Sequence, residues 1–186
     1  MCRSLWVTIA IMALLVVVTG PPGAGKSTVA DLLVGRFGQG VLVPGDAFFA
    51  FVARGAIEPW LPAAHGQNEV VTRAAAAAAG RYAAGGYATV YDGVVGPWYL
   101  ADFAAAAGLD CVHYAVLLPP AQRCAERVAS RSGHGFTDQA ATRHMHRQFA
   151  QAGISQRHLL PELPGGPDGT ADEIISRIRS GMLRYP

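Results

Sequence analysis

Eight consecutive residues, Gly20-Pro21-Pro22-Gly23-Ala24-Gly25-Lys26-Ser27, fit the pattern G-x-x-x-x-G-K-[ST] in full. Each residue type answers a demand of phosphate chemistry. The glycines let the backbone curl until successive N–H groups converge on a polyphosphate, and a following helix adds its positive end. Lys26 is suited to the β- and γ-phosphates, and the Ser27 hydroxyl to magnesium. Gly23, Ala24, Gly25, Lys26, Ser27 and Thr28 are therefore expected to hold ATP or GTP with Mg2+. Lys26 is also the only lysine, the other basic residues all being arginine. Coding bias explains a shortage of lysine but not where the single one stands.

Two carboxylates close short apolar runs. Val41-Leu42-Val43 leads into Pro44-Gly45-Asp46, and Ala88-Thr89-Val90-Tyr91 leads into Asp92-Gly93. At the carboxyl ends of parallel strands both would face the ligand crevice of a doubly wound sheet. Asp46 is expected opposite the γ-phosphate, as substrate-binding group and general base for an acceptor hydroxyl, although an aspartate there also suits a helix N-cap before Ala47. Asp92 has a Walker-B-like placement that suits magnesium or substrate, and aspartate in such turns also has conformational causes.

Arg123, Arg127 and Arg131 recur at i, i+4 and i+8 and share one helical face. The row runs into Ser132-Gly133-His134-Gly135 and a second helix from about Asp138 to Ala152, carrying Arg143 and Arg147. A solvated face paired with acids such as Glu126 is one reading. A helical lid over about residues 121–152, closing arginines over a transferring phosphate, is the expected one, with Arg131 catalytic and Arg123 and Arg127 on the nucleotide. His144 and His146, two residues apart, face different sides and are expected as surface or lid residues.

Between the carboxylates lies a long stretch expected to be helical and to form acceptor-binding helices over about residues 47–84. Phe48, Phe49, Phe51 and Trp60 supply apolar walls. Arg54, His65, Asn68 and Arg73 supply polar candidates, of which Arg54 and Asn68, with Phe49 and Trp60, are expected to bind substrate.

These residues need a frame. Apolar strands are expected at Ala13 to Val18, Val41 to Val43, Ala88 to Tyr91, Cys111 to Leu118 and about His158 to Leu160, and helices at Thr28 to Phe37, Glu69 to Ala84 and Thr170 to Leu183. A Pro/Gly turn, Pro161 to Gly169, is placed to cover an adenine ring. The apolar run Leu5 to Val18 falls short of the roughly 20 residues of a membrane span and passes into the glycine loop without a cleavage site. Residues 1–11 are expected to extend upstream of the first strand. With 186 residues, 51% hydrophobic and 15% charged, the chain suits one α/β domain over 1–186 and not a disordered one. A net charge of +2 disfavours a dedicated nucleic-acid binder. Cys2, Cys111 and Cys124 match neither a disulfide framework nor zinc spacing, pointing to a reducing, cytoplasmic setting.

Three blocks, Gly20 to Thr28, Gly45-Asp46 and Arg127 through Arg131 and His134 to Phe136, resemble the small P-loop kinases of the shikimate kinase, gluconate kinase and chloramphenicol phosphotransferase group. The resemblance implies a three-layer P-loop NTPase fold, with a five-stranded parallel sheet, flanking helices and a mobile lid. It implies ATP-dependent phosphorylation of a small-molecule hydroxyl, with Asp46 facing substrate and Arg127 and Arg131 on the adenine and lid sides. Gluconate kinases follow the aspartate with histidine, whereas here Ala47-Phe48-Phe49 follow, and no shikimate-type arginine cluster is evident. A bulkier, less charged acceptor such as an antibiotic fits better. The alternatives are a sugar-acid or nucleotide kinase and a nucleotide-binding regulatory protein, the latter lacking an N-K-x-D motif. The expected partner is a small-molecule acceptor, with no nucleic acid or membrane, and the expected state a monomer or homodimer.

Overall fold

The computed structural model describes residues 13–130 and 138–186. At its centre β1 (Leu15–Thr19) is an unbroken run of β-branched and leucine side chains, buried at every position. Such a strand needs cover on both faces, which is what a parallel α/β sheet supplies. The strand order is β2-β3-β1-β4-β5, with β2 (Gly40–Pro44), β3 (Ala88–Asp92), β4 (Val112–Leu117) and β5 (Leu159–Leu160) all parallel along that path. The expected five parallel strands are present. A sixth, β6 (Arg184–Tyr185), adds an antiparallel pairing to β4 that the expectation lacked.

Successive residues of β1 point to opposite faces. Val16 and Val18 join one core with α1 (Lys26–Val34) and α7 (Gly166–Arg179), through Leu33 and Ile174 among others. Leu15 and Val17 join the other, with α3 (His65–Ala84) and α4 (Pro97–Ala107), through Ala79 and Phe103. The chain places β3 on one side of β1 and β4 on the other, which opens a crevice at the carboxyl edge directly above β1. The glycine loop leaves β1 into that crevice.

Several boundaries differ from expectation for identifiable reasons. Between β2 and α3 lies α2 (Gly45–Phe49), so Pro44 is the N-cap and Asp46 stands inside the first turn, without a side-chain capping bond. Helix α3 starts at His65 and not Glu69, nucleated by a tight turn at Pro62–Ala64. Helix α7 starts at Gly166 and not Thr170: Gly165 takes the left-handed conformation, φ 90°, and Pro167 opens the first turn, which shortens the Pro161 to Gly169 turn. Helix α5 (Ala121–Ala129) is followed, beyond residues 131–137, by α6 (Gln139–Gln151), whose Asp138 side chain accepts from the amides of Ala140 and Ala141. The expected extension at 1–11, Arg131, and the hinge with His134 and Phe136 lie outside the described residues.

Candidate active site

Gly20, Gly23 and Gly25 all have positive φ, at 144°, 79° and 95°. A Cβ on Gly20 would strike the Leu117 carbonyl oxygen, and one on Gly23 that of Cys124, so loop and neighbouring backbone meet at distances only glycine permits. The curled loop delivers the amino end of α1 to the crevice, with Ser27 and Thr28 exposed in its first turn. Lys26 Nζ donates to the Pro21 carbonyl at 3.2 Å, folding the ammonium back over the loop. This is a cradle that fits a polyphosphate.

The carboxylates are placed by strand register. Pro44 and Val18 both lie beside Asp92, so Asp46 and Asp92 emerge at the same edge as the loop. The Asp92 turn is tied to β1: the Gly93 amide donates to the Val18 carbonyl at 3.3 Å and the Val95 amide to Thr19 Oγ1 at 2.8 Å. From β4 the buried Tyr114 hydroxyl donates to the Val95 carbonyl at 2.8 Å. Thr19 and Tyr114, which sequence reasoning passed over, thus hold the Asp92 turn in place. Between the two carboxylates lies Tyr91, whose phenol is held far above its ordinary range by burial, with the Asp46 and Asp92 charges adding to the effect.

Two cavities meet at the loop. The larger, about 950 Å³, is lined by Lys26, Ser27, Asp46 and Asp92 together with the aromatic side chains Phe49, Trp60, Trp98 and Tyr99. Gln67 exchanges hydrogen bonds with the Ile57 amide and carbonyl, at 2.8 and 2.7 Å, and Asn68 Nδ2 donates to the Pro59 carbonyl at 2.7 Å. These bonds staple the loop before α3 to that helix and set Trp60 in the cavity wall. Asn68 thus lines the cavity with one of its two N–H donors bound to the loop, while its buried Oδ1 has no hydrogen-bond partner among the described residues. The His65 Nδ1 and Tyr99 Oη atoms are 3.1 Å apart, and their rings stack. His144 of α6 lines the cavity as well, whereas His146 turns away to the Pro119 carbonyl, 2.8 Å from Nε2. The opposed faces match expectation, but the role of His144 as cavity wall was missed.

Two arginines expected near the acceptor stand elsewhere. Arg54 lies on an exposed loop and does not line the cavity. Arg73 is bound to Glu69 at 2.7 Å and Asp102 at 2.8 Å on the outer face of α3. Among the described residues no arginine lines this cavity.

The smaller cavity, about 340 Å³, opens on the other flank of the loop and is bounded by Thr28, Val29, Arg127, Pro161, Glu162 and Pro167. Arg127 Nη2 pairs with Glu162 at 2.8 Å, and its Nη1 reaches the Gly23 carbonyl at 3.5 Å. Arg123 supports the same carboxylate from 3.6 Å without lining the cavity. Glu162, absent from the sequence expectations, is the anion that gathers both. Beneath the loop the Cys124 thiol is pushed up by burial, against the pull of Arg127 and Lys26, and is kept as a packing group.

The central parallel sheet, glycine loop and paired carboxylates define a P-loop nucleotide-binding protein of kinase-like fold. Residues 15–152 match the AAA domain family, and the chain belongs to it. Its fold is similar to that of the Deinococcus radiodurans tunicamycin resistance protein, at 15% identity and TM-score 0.66, covering 93% of this chain and 98% of that one. It is also similar to a gluconokinase from Sinorhizobium meliloti 1021, at 18% identity and TM-score 0.63, covering 91% and 95%. The Mycobacterium tuberculosis APS kinase in complex with AMPPNP and APS shares 18% identity at TM-score 0.62, covering 89% and 97%. No curated protein matches the chain in sequence at a significant level. No helix among the described residues is long and apolar enough to cross a membrane.

Proposed function

We propose that the protein is an ATP-dependent phosphotransferase acting on a hydroxyl group of a bulky, weakly charged small molecule. The observation that carries the proposal is the pair of cavities sharing Gly25: the smaller suits a nucleotide base, and the larger begins at Lys26 and Ser27, where the terminal phosphate of a nucleotide in the cradle would end. A switch protein needs the first cavity only.

In this reading Gly23 to Thr28 bind the phosphates and Arg127 covers the base side. Magnesium, held by Ser27 and Asp92, would supply charge neutralisation on the phosphate oxygens. Lys26 neutralises charge on the transferring group, and Asp46 orients the acceptor hydroxyl and takes its proton. Asn68, Phe49 and Trp60 shape the acceptor wall, and the α5–α6 pair acts as a lid, one helix on each cavity. The acceptor's character follows from charge. Lys26 is engaged by phosphate and Asp92 by magnesium, which leaves the Asp46 carboxylate to repel an anion that has no arginine to meet it among the described lining residues. An uncharged alcohol with apolar faces, such as a natural product or antibiotic, satisfies both the walls and the charges.

The test is ADP release with Mg–ATP across chloramphenicol, tunicamycin, uridine, N-acetylglucosamine, shikimate and gluconate. Stimulation by uncharged compounds is expected. Turnover confined to shikimate or gluconate would contradict the acceptor assignment.

A further inference from the structure

The roles assigned to the loop and its two carboxylates leave Tyr91 out, yet its hydroxyl lies against Gly45 and Gly93, beside both carboxylates. On β3 it pairs with Val43 of β2 and Val17 of β1, and its ring packs edge-on against Phe103 with centroids 4.8 Å apart. The side chain is buried, but it forms part of the larger cavity wall. A Cβ on Gly45 would collide with its hydroxyl and lie 2.8 Å from Cζ, and a Cβ on Gly93 would lie 2.6 Å from the hydroxyl. Neither glycine has positive φ, so it is the phenol and not the backbone conformation that requires glycine at both positions. Gly45 precedes Asp46 and Gly93 follows Asp92, so one hydroxyl touches both carboxylate-bearing turns. That hydroxyl makes no hydrogen bond to another described residue.

We propose that the Tyr91 hydroxyl, wedged between the Asp46 and Asp92 turns, donates a hydrogen bond to the reacting oxygen of the acceptor alcohol and so aims that oxygen at the γ-phosphorus. The assignment rests on the phosphotransferase reading. Asp46 and Asp92, as carboxylates, can only accept, and an alcohol that gives its proton to Asp46 still has a second lone pair to be held. Tyr91 is the neutral donor placed to hold it. In the transfer the alcohol oxygen forms the new bond to phosphorus and its proton passes to Asp46. The bond from the γ-phosphorus to the bridging oxygen breaks, with the electron pair leaving on ADP. Tyr91 keeps its proton throughout.

Tyr91→Phe keeps the ring and removes the donor. With Mg–ATP and whichever compound of the panel stimulates the wild type most, kcat/KM for that acceptor is expected to fall about tenfold or more, as the loss of one such bond implies. KM for ATP and the Tm should stay in place, which a merely structural role would not predict. Gly93→Ala, which displaces the hydroxyl while leaving the phenol, gives a second reading of the same loss should Tyr91→Phe fold poorly. Transfer by the wild type that both variants leave unchanged overturns the assignment alone. Absence of transfer by the wild type to every compound overturns the phosphotransferase reading, and the assignment with it.

Discussion

In the proposed reaction Lys26 and Asp46 would carry opposite charges to the same phosphoryl group, and their substitutions should separate. Lys26→Ala removes the cation over the transferring phosphate and is expected to abolish transfer. Asp46→Asn keeps the shape and loses the base, so kcat should fall by about 10²–10⁴ with the dissociation constant for ATP unchanged. Calorimetric ATP titration beside steady-state turnover reads both, and an intact kcat in the Asp46→Asn variant would return Asp46 to a structural role. The phosphate-loop residues were legible because eight adjacent positions encode them. Glu162, Thr19, Tyr114 and His144 were not. Each acts through a partner distant in sequence, as Thr19 does with Val95, and single-residue type carries no sign of that pairing.

Among the elements, α5 borders the smaller cavity through Arg127, which pairs with Glu162 and reaches the Gly23 carbonyl, while Arg123 supports the same carboxylate. Arg127→Ala should weaken ATP binding roughly tenfold, since charge-assisted contacts are worth about 1.5–3 kcal/mol, while leaving the acceptor's KM in place. An equal rise in both constants would place the arginine in the acceptor pocket instead. The packing of α3 on α4 offers a sharper test. Gly80 sits mid-helix, where alanine is ordinarily better by about 1 kcal/mol. Here a Cβ would come within 2.7 Å of the Ala107 carbonyl carbon, and relieving such backbone overlap costs about 1–3 kcal/mol. Gly80→Ala is therefore expected to lower the Tm by a few degrees in differential scanning calorimetry, and a rise would deny the close contact. Strands β1 to β4 were readable from their apolar runs, but α4 was not anticipated, although Pro97 at its start and Gly108 in the left-handed conformation at its end are the usual punctuation. Its alanine-rich, weakly periodic sequence hides the buried stripe. The two residues of β6 have no pattern of their own and exist only because β4 leaves an edge to pair.

At the scale of the molecule, β6 also sets a pH response. His113 on β4 pairs with Arg184, and its half-buried ring has Nδ1 without a partner among the described residues. Burial, and then the Arg184 charge, lower its pKa from 6.5 to about 4. Between those values the unfolded chain binds a proton that the folded chain refuses, so stability falls as pH drops through this window and the full penalty is reached below its lower end. Allowing for partial solvent exposure, the loss from pH 7 to pH 5 is on the order of 1 kcal/mol. Urea unfolding at the two pH values should show it, and His113→Leu should reduce the difference; an identical loss in the variant would assign it to other groups. The sheet, loop and carboxylates were legible from the chain, whereas the second cavity wall and the absence of arginine from it, among the described residues, appear only once α3, α4 and α6 are assembled. In the proposed function that assembled wall selects an uncharged alcohol as the acceptor of phosphate. The most direct measurement is phosphorus NMR of the products formed from Mg–ATP with the acceptor panel. A phosphomonoester on an uncharged alcohol is expected, whereas inorganic phosphate as the sole product beside ADP, with every acceptor recovered unmodified, would overturn the proposed function.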